Sequence, residues 1–316
     1  MGVYVVAGGA GFIGCHLVER LLDRGDQVVA IDNLITGAED NISHLYGNPN
    51  FTFINQDIIK GLPRIDAEVL GIFHLASPAS PNAKSPKSYI AFPLETMLVN
   101  SLGTLHLLDL ALHKGAKFLF ASTSEVYGDP DVSPQKETYF GNVNPVGVRS
   151  VYDEGKRFGE ALTASYVRES NVNAVIIRIF NTYGDRMQVD DGRVVSNFIN
   201  QALMGDDMTI YGKGDQTRSF CFVDDLVTGL VSAMDRDTRG EVINLGNPKE
   251  FSIKELAEKV KHETGSKSKI IHEELPEDDP KQRKPDITKA KKLLGFDPKI
   301  DLDEGLKKTI EYFKSL

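Results

Sequence analysis

Short apolar runs alternate with longer amphipathic stretches through the first half of the chain. The first run, residues 3–7, shows no alternation between apolar and polar positions, as expected of a strand buried on both faces. Further strand-like runs occupy residues 27–31, 51–54, 71–75, 117–121 and 174–178. Helical spacing of apolar residues is clearest over residues 12–24, 98–113 and 151–169. This alternation predicts βαβ units and an α/β fold with a Rossmann-type, doubly wound parallel sheet.

The pattern becomes less regular after about residue 180. Glycine-containing loops at 190–193 and 211–216 are followed by a strand-like run at 242–245 and a charged helical tail. Residues 275–286 are rich in proline and charge, which predicts a loop. We therefore expect a smaller C-terminal α/β region beside the sheet. It would form a cleft over the carboxyl ends of the strands, where open α/β sheets bind ligands.

Composition excludes several classes of protein. The 316 residues are 41% hydrophobic and 26% charged, which is typical of a soluble globular protein. With 36 basic and 45 acidic residues the net charge is −9, and no basic stripe suggests nucleic-acid binding. No apolar run is long enough to span a bilayer, and the chain enters a strand at once, without room for a signal peptide. Cys15 and Cys221 form no metal or disulfide pattern. We expect a cytoplasmic protein with two buried thiols.

A glycine-rich turn follows the first predicted strand. Gly8, Gly11 and Gly14 have the spacing GxxGxxG and lead directly into a predicted helix. Small residues at these positions let the backbone turn tightly and approach a pyrophosphate, which then meets the positive end of the helix dipole. The alternative is a plain βα turn, but the position between a first strand and a helix favours a dinucleotide site.

Acidic residues end the next two strands. Asp32, followed by Asn33, lies 18 residues beyond Gly14, where a carboxylate can bind the adenine ribose hydroxyls. Because residues 33–38 contain no arginine or lysine to accept a 2′-phosphate, we expect NAD and not NADP. Asp57, before Ile58, could reach the adenine amino group, although such a residue alone is more often a helix cap.

A tyrosine and a lysine define the candidate catalytic pair. Tyr152 and Lys156 are four residues apart on a predicted helix and therefore share a face. The lysine charge would lower the pKa of the tyrosine, which could then take a proton from a sugar hydroxyl. The predicted strand 117–121 ends in Ser-Thr-Ser-Glu at 122–125, at the mouth of the same cleft. Alone, that tetrapeptide would suit a helix-capping loop equally well.

Together these features resemble the extended short-chain dehydrogenase/reductases over nearly the whole chain. Six motifs are similar to those of the UDP-glucuronate decarboxylases, also called UDP-xylose synthases: residues 122–130, 141–145, 152–157, 178–184, 190–198 and 282–286. In that comparison Ser124 is decisive, because the related 4,6-dehydratases typically carry Asp-Glu there and the 4-epimerases usually lack the glutamate. The resemblance implies recycled NAD+, a 4-keto intermediate and loss of CO2, without a metal.

The resemblance also implies a set of site residues. The catalytic set is Thr123, Ser124, Glu125, Tyr152, Lys156 and Arg283. The cofactor set is Gly8, Gly11, Phe12, Ile13, Gly14, Asp32, Asn33, Thr36, Gly37, Asp57, Ile58, Leu75, Ala76, Ser77, Asn100, Ser122, Tyr152 and Lys156. The UDP-sugar set is Ser80, Thr123, Ser124, Glu125, Tyr152, Asn181, Arg193, Val194, Tyr211, Gln216, Arg218 and Arg283. Any one of these arginines could instead be a solvated surface residue.

The resemblance suggests two domains and a homodimer. Residues 1–180, with a returning segment near 219–245, would form the NAD-binding Rossmann domain, and 181–218 with 246–316 the substrate-binding domain. A homodimer would pack the helices at 98–113 and 151–169 of two subunits together. Apolar residues recur on these helices: Leu102, Leu105, Leu108, Leu112, Phe158, Leu162 and Tyr166. Much of that surface must also cover the sheet, so the sequence alone supports a dimer weakly.

Two departures and several alternatives remain. The stretch 81–100 is several residues longer than in the family and contains Lys84, Lys87 and Tyr89, and Asp185 stands where proline is common. The first departure lies beside the sugar in the family; the second would change only a loop.

A nucleotide-sugar 4-epimerase or 4,6-dehydratase would share the fold. A non-catalytic NAD sensor or a structural dimer module would leave Thr123, Tyr152 and Lys156 without a purpose.

Overall fold

The computed structural model describes residues 2–275, 280 and 282–316. Its strands, in chain order, are β1 (Val3–Ala7), β2 (Gln27–Asp32), β3 (Phe51–Asn55), β4 (Val69–His74), β5 (Lys117–Thr123), β6 (Ala174–Ile179), β7 (Thr182–Tyr183), β8 (Met208–Tyr211), β9 (Thr217–Ser219), β10 (Cys221–Phe222), β11 (Val242–Leu245), β12 (Glu250–Ser252), β13 (Ile270–Glu273) and β14 (Gln282–Arg283). The strands predicted in the first half are all present, with ends that differ by one or two residues.

The helices of the described chain are α1 (Phe12–Asp23), α2 (Pro93–Leu98), α3 (Thr104–Lys114), α4 (Ser150–Glu169), α5 (Val194–Met204), α6 (Val223–Asp235), α7 (Ile253–Thr264), α8 (Thr288–Leu294) and α9 (Leu302–Lys314). The helix predicted at 98–113 was placed too late. It starts at α2, where Pro93 is tolerated because the first turn of a helix needs no backbone N–H bond. A π-helical turn, Val99–Gly103, then joins α2 to α3.

One parallel sheet of seven strands organises the molecule. Its order is β11-β6-β5-β4-β1-β2-β3, and every neighbouring pair is parallel. The strand order reverses direction between β1 and β4, which is the switch point where a doubly wound sheet opens a crevice. The predicted Rossmann-type α/β fold is therefore confirmed.

Helices cover both faces of this sheet. Successive β1 residues point to opposite sides: Val6 packs in one apolar cluster with Leu17 of α1, and Val5 packs in another with Leu107 of α3. All four side chains are fully buried. Helices cover both faces of the sheet, so a ligand cannot reach them. Its carboxyl edge remains open, and the residues that follow each strand can contact a ligand there.

Smaller sheets lie beyond the carboxyl edge. β7 pairs with β10, β8 pairs with β13, and β9 lies between β12 and β14. The predicted loop at 275–286 is therefore wrong in part, because Gln282–Arg283 pairs in parallel with β9. Residues 276–279 and 281 of that predicted loop lie outside the described residues. In the part of the chain that the structure describes, no helix is both long and apolar enough to cross a membrane.

Candidate active site

The glycine turn after β1 is built for close backbone approach. Gly8 has a φ of +85°, which disfavours any residue with a side chain. A Cβ at Gly8 would lie 2.7 Å from the backbone nitrogen of Ala76, and one at Gly14 would lie 2.0 Å from the carbonyl oxygen of Gly8. Glycine is thus required at both positions to let α1 begin against the turn. The N-terminus of α1, which begins at Phe12, follows this turn directly, and a helix N-terminus attracts an anion such as a pyrophosphate.

A cleft of about 630 Å³ opens between the carboxyl edge of the sheet and the smaller sheets. This volume is in the range of a site for a small organic ligand. Most of the residues predicted from the sequence line it: Gly8, Gly11, Phe12, Ile13, Gly14, Thr36, Leu75, Ser77, Ser80, Ser122, Thr123, Ser124, Glu125, Tyr152, Lys156, Asn181, Arg193, Val194, Tyr211, Gln216, Arg218 and Arg283. The fold therefore brings together side chains that are more than 270 residues apart in the chain.

A smaller cavity of about 70 Å³ continues from the same glycine turn toward β2 and β3. It is lined by six more of the predicted cofactor residues: Asp32, Asn33, Gly37, Asp57, Ile58 and Ala76. The carboxylate of Asp32 is held by the backbone N–H groups of Ala10 at 3.0 Å and Leu34 at 2.8 Å. Asp57 accepts a hydrogen bond from the Ile59 N–H and caps a short 3₁₀ helix, as a lone aspartate at such a position commonly does.

Two predicted cofactor residues use their polar groups within the protein. Asn100 is fully buried and lines neither cavity; its amide donates to Ser77 Oγ at 2.9 Å, so it supports a residue of the cleft from behind. The hydroxyl of Ser122 lines the cleft but donates to Glu160 Oε1 at 2.6 Å. Glu160 is in turn bonded to Arg178, and this network fixes the end of β5 against α4.

The tyrosine and lysine of the predicted catalytic pair lie on the first turns of α4, both buried. Lys156 Nζ donates to the Ala121 carbonyl at 2.8 Å and lies 5.7 Å from the centre of the Tyr152 ring. Burial lowers the pKa of Lys156 to about 7. Burial also raises the pKa of Tyr152, with a further contribution from the charge of Glu125. Burial therefore shifts the two groups in opposite directions, and the lowering of the Tyr152 pKa by the charge of Lys156 stays a prediction.

A buried carboxylate forms the wall of the cleft beside Tyr152. Glu125 follows β5 and is 6% exposed. Arg149 donates to its Oε2 at 2.7 Å, and Arg283 donates to its Oε1 at 3.3 Å. Burial alone would raise the pKa of Glu125, but the two arginine charges outweigh burial and hold it well below its usual range. Arg283 is therefore an interior residue of this site, 8% exposed, and not the surface turn that its composition suggests.

Three further residues complete this cluster. Tyr89, noted in the sequence only as part of the longer stretch, donates to Glu125 Oε2 at 3.1 Å. Its ring stacks on Tyr152 with centres 4.8 Å apart and planes within 4°. Arg149 and Asp153 were not predicted, although they lie three residues before and one after Tyr152 on the same helix end. Burial and the charge of Glu125 raise the pKa of Asp153, so its carboxyl holds a proton near neutral pH.

The arginines predicted to bind the substrate are partly occupied by protein groups. Arg193 pairs with Asp191 through two bonds of 2.6 and 2.7 Å, and its guanidinium lies 5.5 Å from the centre of the Phe12 ring. Arg218 donates to the carbonyl oxygens of Thr217 and Pro280. Both remain on the cleft surface, so a bound anion would compete with or share these partners.

The tyrosine–lysine pair and the glycine turn at one switch point place the chain in the class of extended short-chain dehydrogenase/reductases. The family model for GDP-mannose 4,6 dehydratase matches residues 5–309. UDP-glucuronic acid decarboxylase 4 of Arabidopsis thaliana is 53% identical over 310 residues, which cover 98% of this chain and 68% of that protein. The chain belongs to the family of the UDP-glucuronic acid decarboxylases.

Two further comparisons agree with this assignment. UDP-glucuronic acid decarboxylase 1 of Xenopus tropicalis is 49% identical over 98% of this chain and 72% of its own length. The crystal structure of a UDP-glucuronic acid 4-epimerase from Bacillus cereus, in complex with UDP-glucuronic acid and NAD, has a TM-score of 0.87 at 31% identity and covers 99% of both chains. The fold is thus shared with epimerases, while the closer sequence similarity is to decarboxylases.

Proposed function

We propose that this chain converts UDP-glucuronate to UDP-xylose and CO2, with NAD+ regenerated in each turnover. The observation that carries the proposal is the 53% identity to a named UDP-glucuronic acid decarboxylase over 98% of the chain. The site supports it chemically, since a buried carboxylate and two arginines lie beside a tyrosine at the end of a dinucleotide crevice. The net reaction consumes one proton and is that of a carboxy-lyase.

The residues present fit a dinucleotide. The Gly8 and Gly14 positions would be filled by any Cβ, and the cavity beyond them ends at the fixed carboxylate of Asp32. That carboxylate suits two ribose hydroxyls and repels a 2′-phosphate, so NAD fits better than NADP. When bound, NAD+ would supply the acceptor, and later the donor, of the hydride at C4 of the sugar.

Tyr152 is the residue placed to move the proton of the sugar 4-hydroxyl. The side chain of Thr123 lowers the pKa of Tyr152, which burial otherwise raises. We infer that Tyr152 takes the 4-hydroxyl proton as the C4–H bond breaks, while Thr123 orients the C4 oxygen. Lys156, held by the Ala121 carbonyl, stabilises the tyrosinate to the extent that it is protonated.

Loss of CO2 then needs no further electron acceptor. The oxidised sugar is a β-keto acid, so the electrons of the breaking C5–C6 bond pass into the C4 carbonyl as an enolate. Protonation at C5 and return of the hydride to C4 give UDP-xylose. We infer that the Glu125 and Arg283 pair acts at this stage, with Ser124 beside it on the same 3₁₀ turn. Glu125 is ionised at neutral pH, whereas the pKa of the neighbouring Asp153 is raised, so Asp153 is the carboxyl of this pair that can supply a proton.

Product analysis tests the proposal. The protein is incubated with UDP-glucuronate and a trace of NAD+, and CO2 and nucleotide sugars are separated and identified by mass. We expect equal amounts of CO2 and UDP-xylose, and neither with the Tyr152→Phe variant as control. Formation of UDP-galacturonate without CO2 would identify a 4-epimerase instead. Conversion of a neutral nucleotide hexose to a 4-keto-6-deoxy sugar would identify a 4,6-dehydratase, and no turnover of any of these would favour a sensor.

We also propose a homodimer formed by α2, α3 and α4. Several large apolar side chains on these helices are exposed: Leu94, Met97, Leu98, Leu102, Leu112 and Phe158. Other members of the predicted set, such as Leu108, are buried against the sheet. Large apolar side chains exposed on neighbouring helices favour a symmetric helix-to-helix interface. Light scattering at micromolar concentration should give twice the chain mass, and a monomer would contradict the proposal.

We also propose a cytoplasmic location and a division into two domains. The buried free thiols Cys15 and Cys221 support a reducing, cytoplasmic location. The pairing of β11 with β6 supports a Rossmann unit of residues 1–180 to which the segment near 219–245 returns. Residues 181–218 and 246–316 would then form the substrate-binding unit, since they carry Arg193, Arg218 and Arg283 to the cleft.

A further inference from the structure

Two loops meet over the open side of the cleft. The first, here the bridging segment, is residues 82–87, within the stretch that is longer than in the family. The second, here the arginine loop, is residues 188–193 and ends at Arg193. The bridging segment comes from the connection after β4 and the arginine loop from the connection after β7, so their contact spans the cleft from the sheet to the smaller region.

Side chains of the bridging segment bond directly to the arginine loop. The Asn82 amide donates to the Gly192 carbonyl at 3.1 Å, and Ser85 Oγ donates to the Asp190 carbonyl at 2.6 Å. Lys87 Nζ lies 3.5 Å from the Asp190 carboxylate. Backbone carbonyls of a loop are thus fixed by side chains from across the cleft, and the loop conformation depends on those side chains.

The arginine loop is shaped to receive this contact. Gly192 has a φ of +84°, and a Cβ there would lie 2.8 Å from Ser85 Cβ and 2.9 Å from Asn82 Cβ. Any other residue at position 192 would therefore push the two loops apart. Ser85 is only 5% exposed, so the contact excludes water.

The other end of the arginine loop carries a charge into the cleft. Arg193 is fixed by Asp191 and lies over the Phe12 ring beside the glycine turn. The Gln188 amide donates to the Thr36 carbonyl at 3.0 Å, which ties the start of the loop to the cofactor side. The position of Arg193 is therefore fixed by two sets of contacts: the bond to the Thr36 carbonyl on the cofactor side and the bonds to the bridging segment.

We propose that the bridging segment positions Arg193 to bind the diphosphate of the sugar nucleotide. This inference rests on the proposed function for the identity of the substrate. Asn82 and Ser85 act as positioning residues: they touch no reacting atom, and their hydrogen bonds hold the loop whose terminal arginine meets the anion. Asp191 already holds Nε and Nη2 of Arg193, so the side chain is ordered before the diphosphate binds and loses little rotamer freedom on binding, with Nη1 outside that fork.

The double variant Asn82→Ala/Ser85→Ala removes both bonds and leaves Arg193 in the chain. We expect KM for UDP-glucuronate to rise about tenfold, equal to about 1.4 kcal/mol of binding, with kcat within about twofold of wild type. The Kd of NAD+ should not change. In an Arg193→Ala background the same two changes should raise KM no further, because the segment would then have nothing to position.

Matched controls separate positioning from general damage. Asn48→Ala/Ser315→Ala makes the same chemical changes at two exposed positions outside both cavities and should leave KM unchanged. If the double variant fails to fold, Lys87→Met removes the ion pair with Asp190 and the hydrogen bond to Gln188, both on the arginine loop, and should still raise KM severalfold.

A wild-type KM in folded variants would overturn the inference, as would an equal rise with and without Arg193. If the wild type releases no CO2, the proposed function fails, and calorimetry of UDP binding to the same variants still decides the positioning role. Weaker UDP binding only when Arg193 is present would support it, and unchanged UDP binding would not.

Discussion

Replacing Arg283 by alanine tests the link between the buried carboxylate and loss of CO2. Arg283 Nη1 lies 3.3 Å from Glu125 Oε1, while Arg149 remains at 2.7 Å from the other oxygen. The variant therefore loses one charge-assisted hydrogen bond, about 1.5–3 kcal/mol, and does not leave the carboxylate without a cation. The melting temperature should fall by about 2–5 °C, since 316 residues give an unfolding entropy of about 0.7 kcal/mol/K.

The kinetic effect of Arg283→Ala should be larger on the decarboxylation step than on binding. A diphosphate clamp would hold ground state and transition state alike, so its loss would raise KM alone. A group acting at the carboxylate or at C5 is needed after oxidation, so its loss should lower kcat, by about a hundredfold for 2.7 kcal/mol. We expect both effects, with the greater loss in kcat and accumulation of the 4-keto intermediate.

The assay for Arg283→Ala follows CO2 release together with NADH absorbance and the mass of the sugar nucleotide. Arg283→Lys keeps the charge but loses the planar fork, so it separates charge from geometry. Wild-type KM and kcat in Arg283→Ala would contradict a role for this arginine in decarboxylation, as would a loss confined to KM.

Three further changes test the cofactor site and the catalytic pair. NAD+ should bind much more tightly than NADP+, and Asp32→Ala should relax that preference; equal affinities for the wild type by calorimetry would contradict it. Tyr152→Phe should abolish oxidation at C4 with the fold and NAD+ affinity retained, and near-normal NADH formation in a single turnover would argue against its role. Burial lowers the Lys156 pKa from 10.5 to about 7, so the native chain binds fewer protons than the unfolded chain between these values and gains stability as pH rises. Denaturant unfolding should show this gain relative to Lys156→Met, and a constant difference would count against it.

Local sequence patterns predicted most strands of the parallel sheet and the glycine turn at the cleft. Uniformly apolar runs such as β1 and the spacing of Gly8, Gly11 and Gly14 follow from backbone requirements that a short window of sequence expresses. The sequence could also have predicted that Arg149 lies in the site, because a residue three positions before Tyr152 is near the same face at the start of the helix.

Tertiary contacts explain what the sequence pattern did not predict. The ring of Tyr89 reaches Tyr152 only because its loop folds back under the cleft, and no local pattern indicates that approach. Arg283 lies in a charged, proline-rich segment whose composition predicts exposure, yet pairing of β14 with β9 carries it inward. The pKa of Tyr152 likewise depends on burial and on Glu125, which is distant in sequence.

The two arginines that hold Glu125 come from very different distances along the chain, 24 and 158 residues. At a synthesis rate of about 5–20 residues per second, the second arginine leaves the ribosome roughly 8–30 s after the glutamate. During that interval the carboxylate of Glu125 can have only one of its two cations. A chain that ends before position 283 would lack the second cation, so the complete charge cluster requires nearly the whole chain.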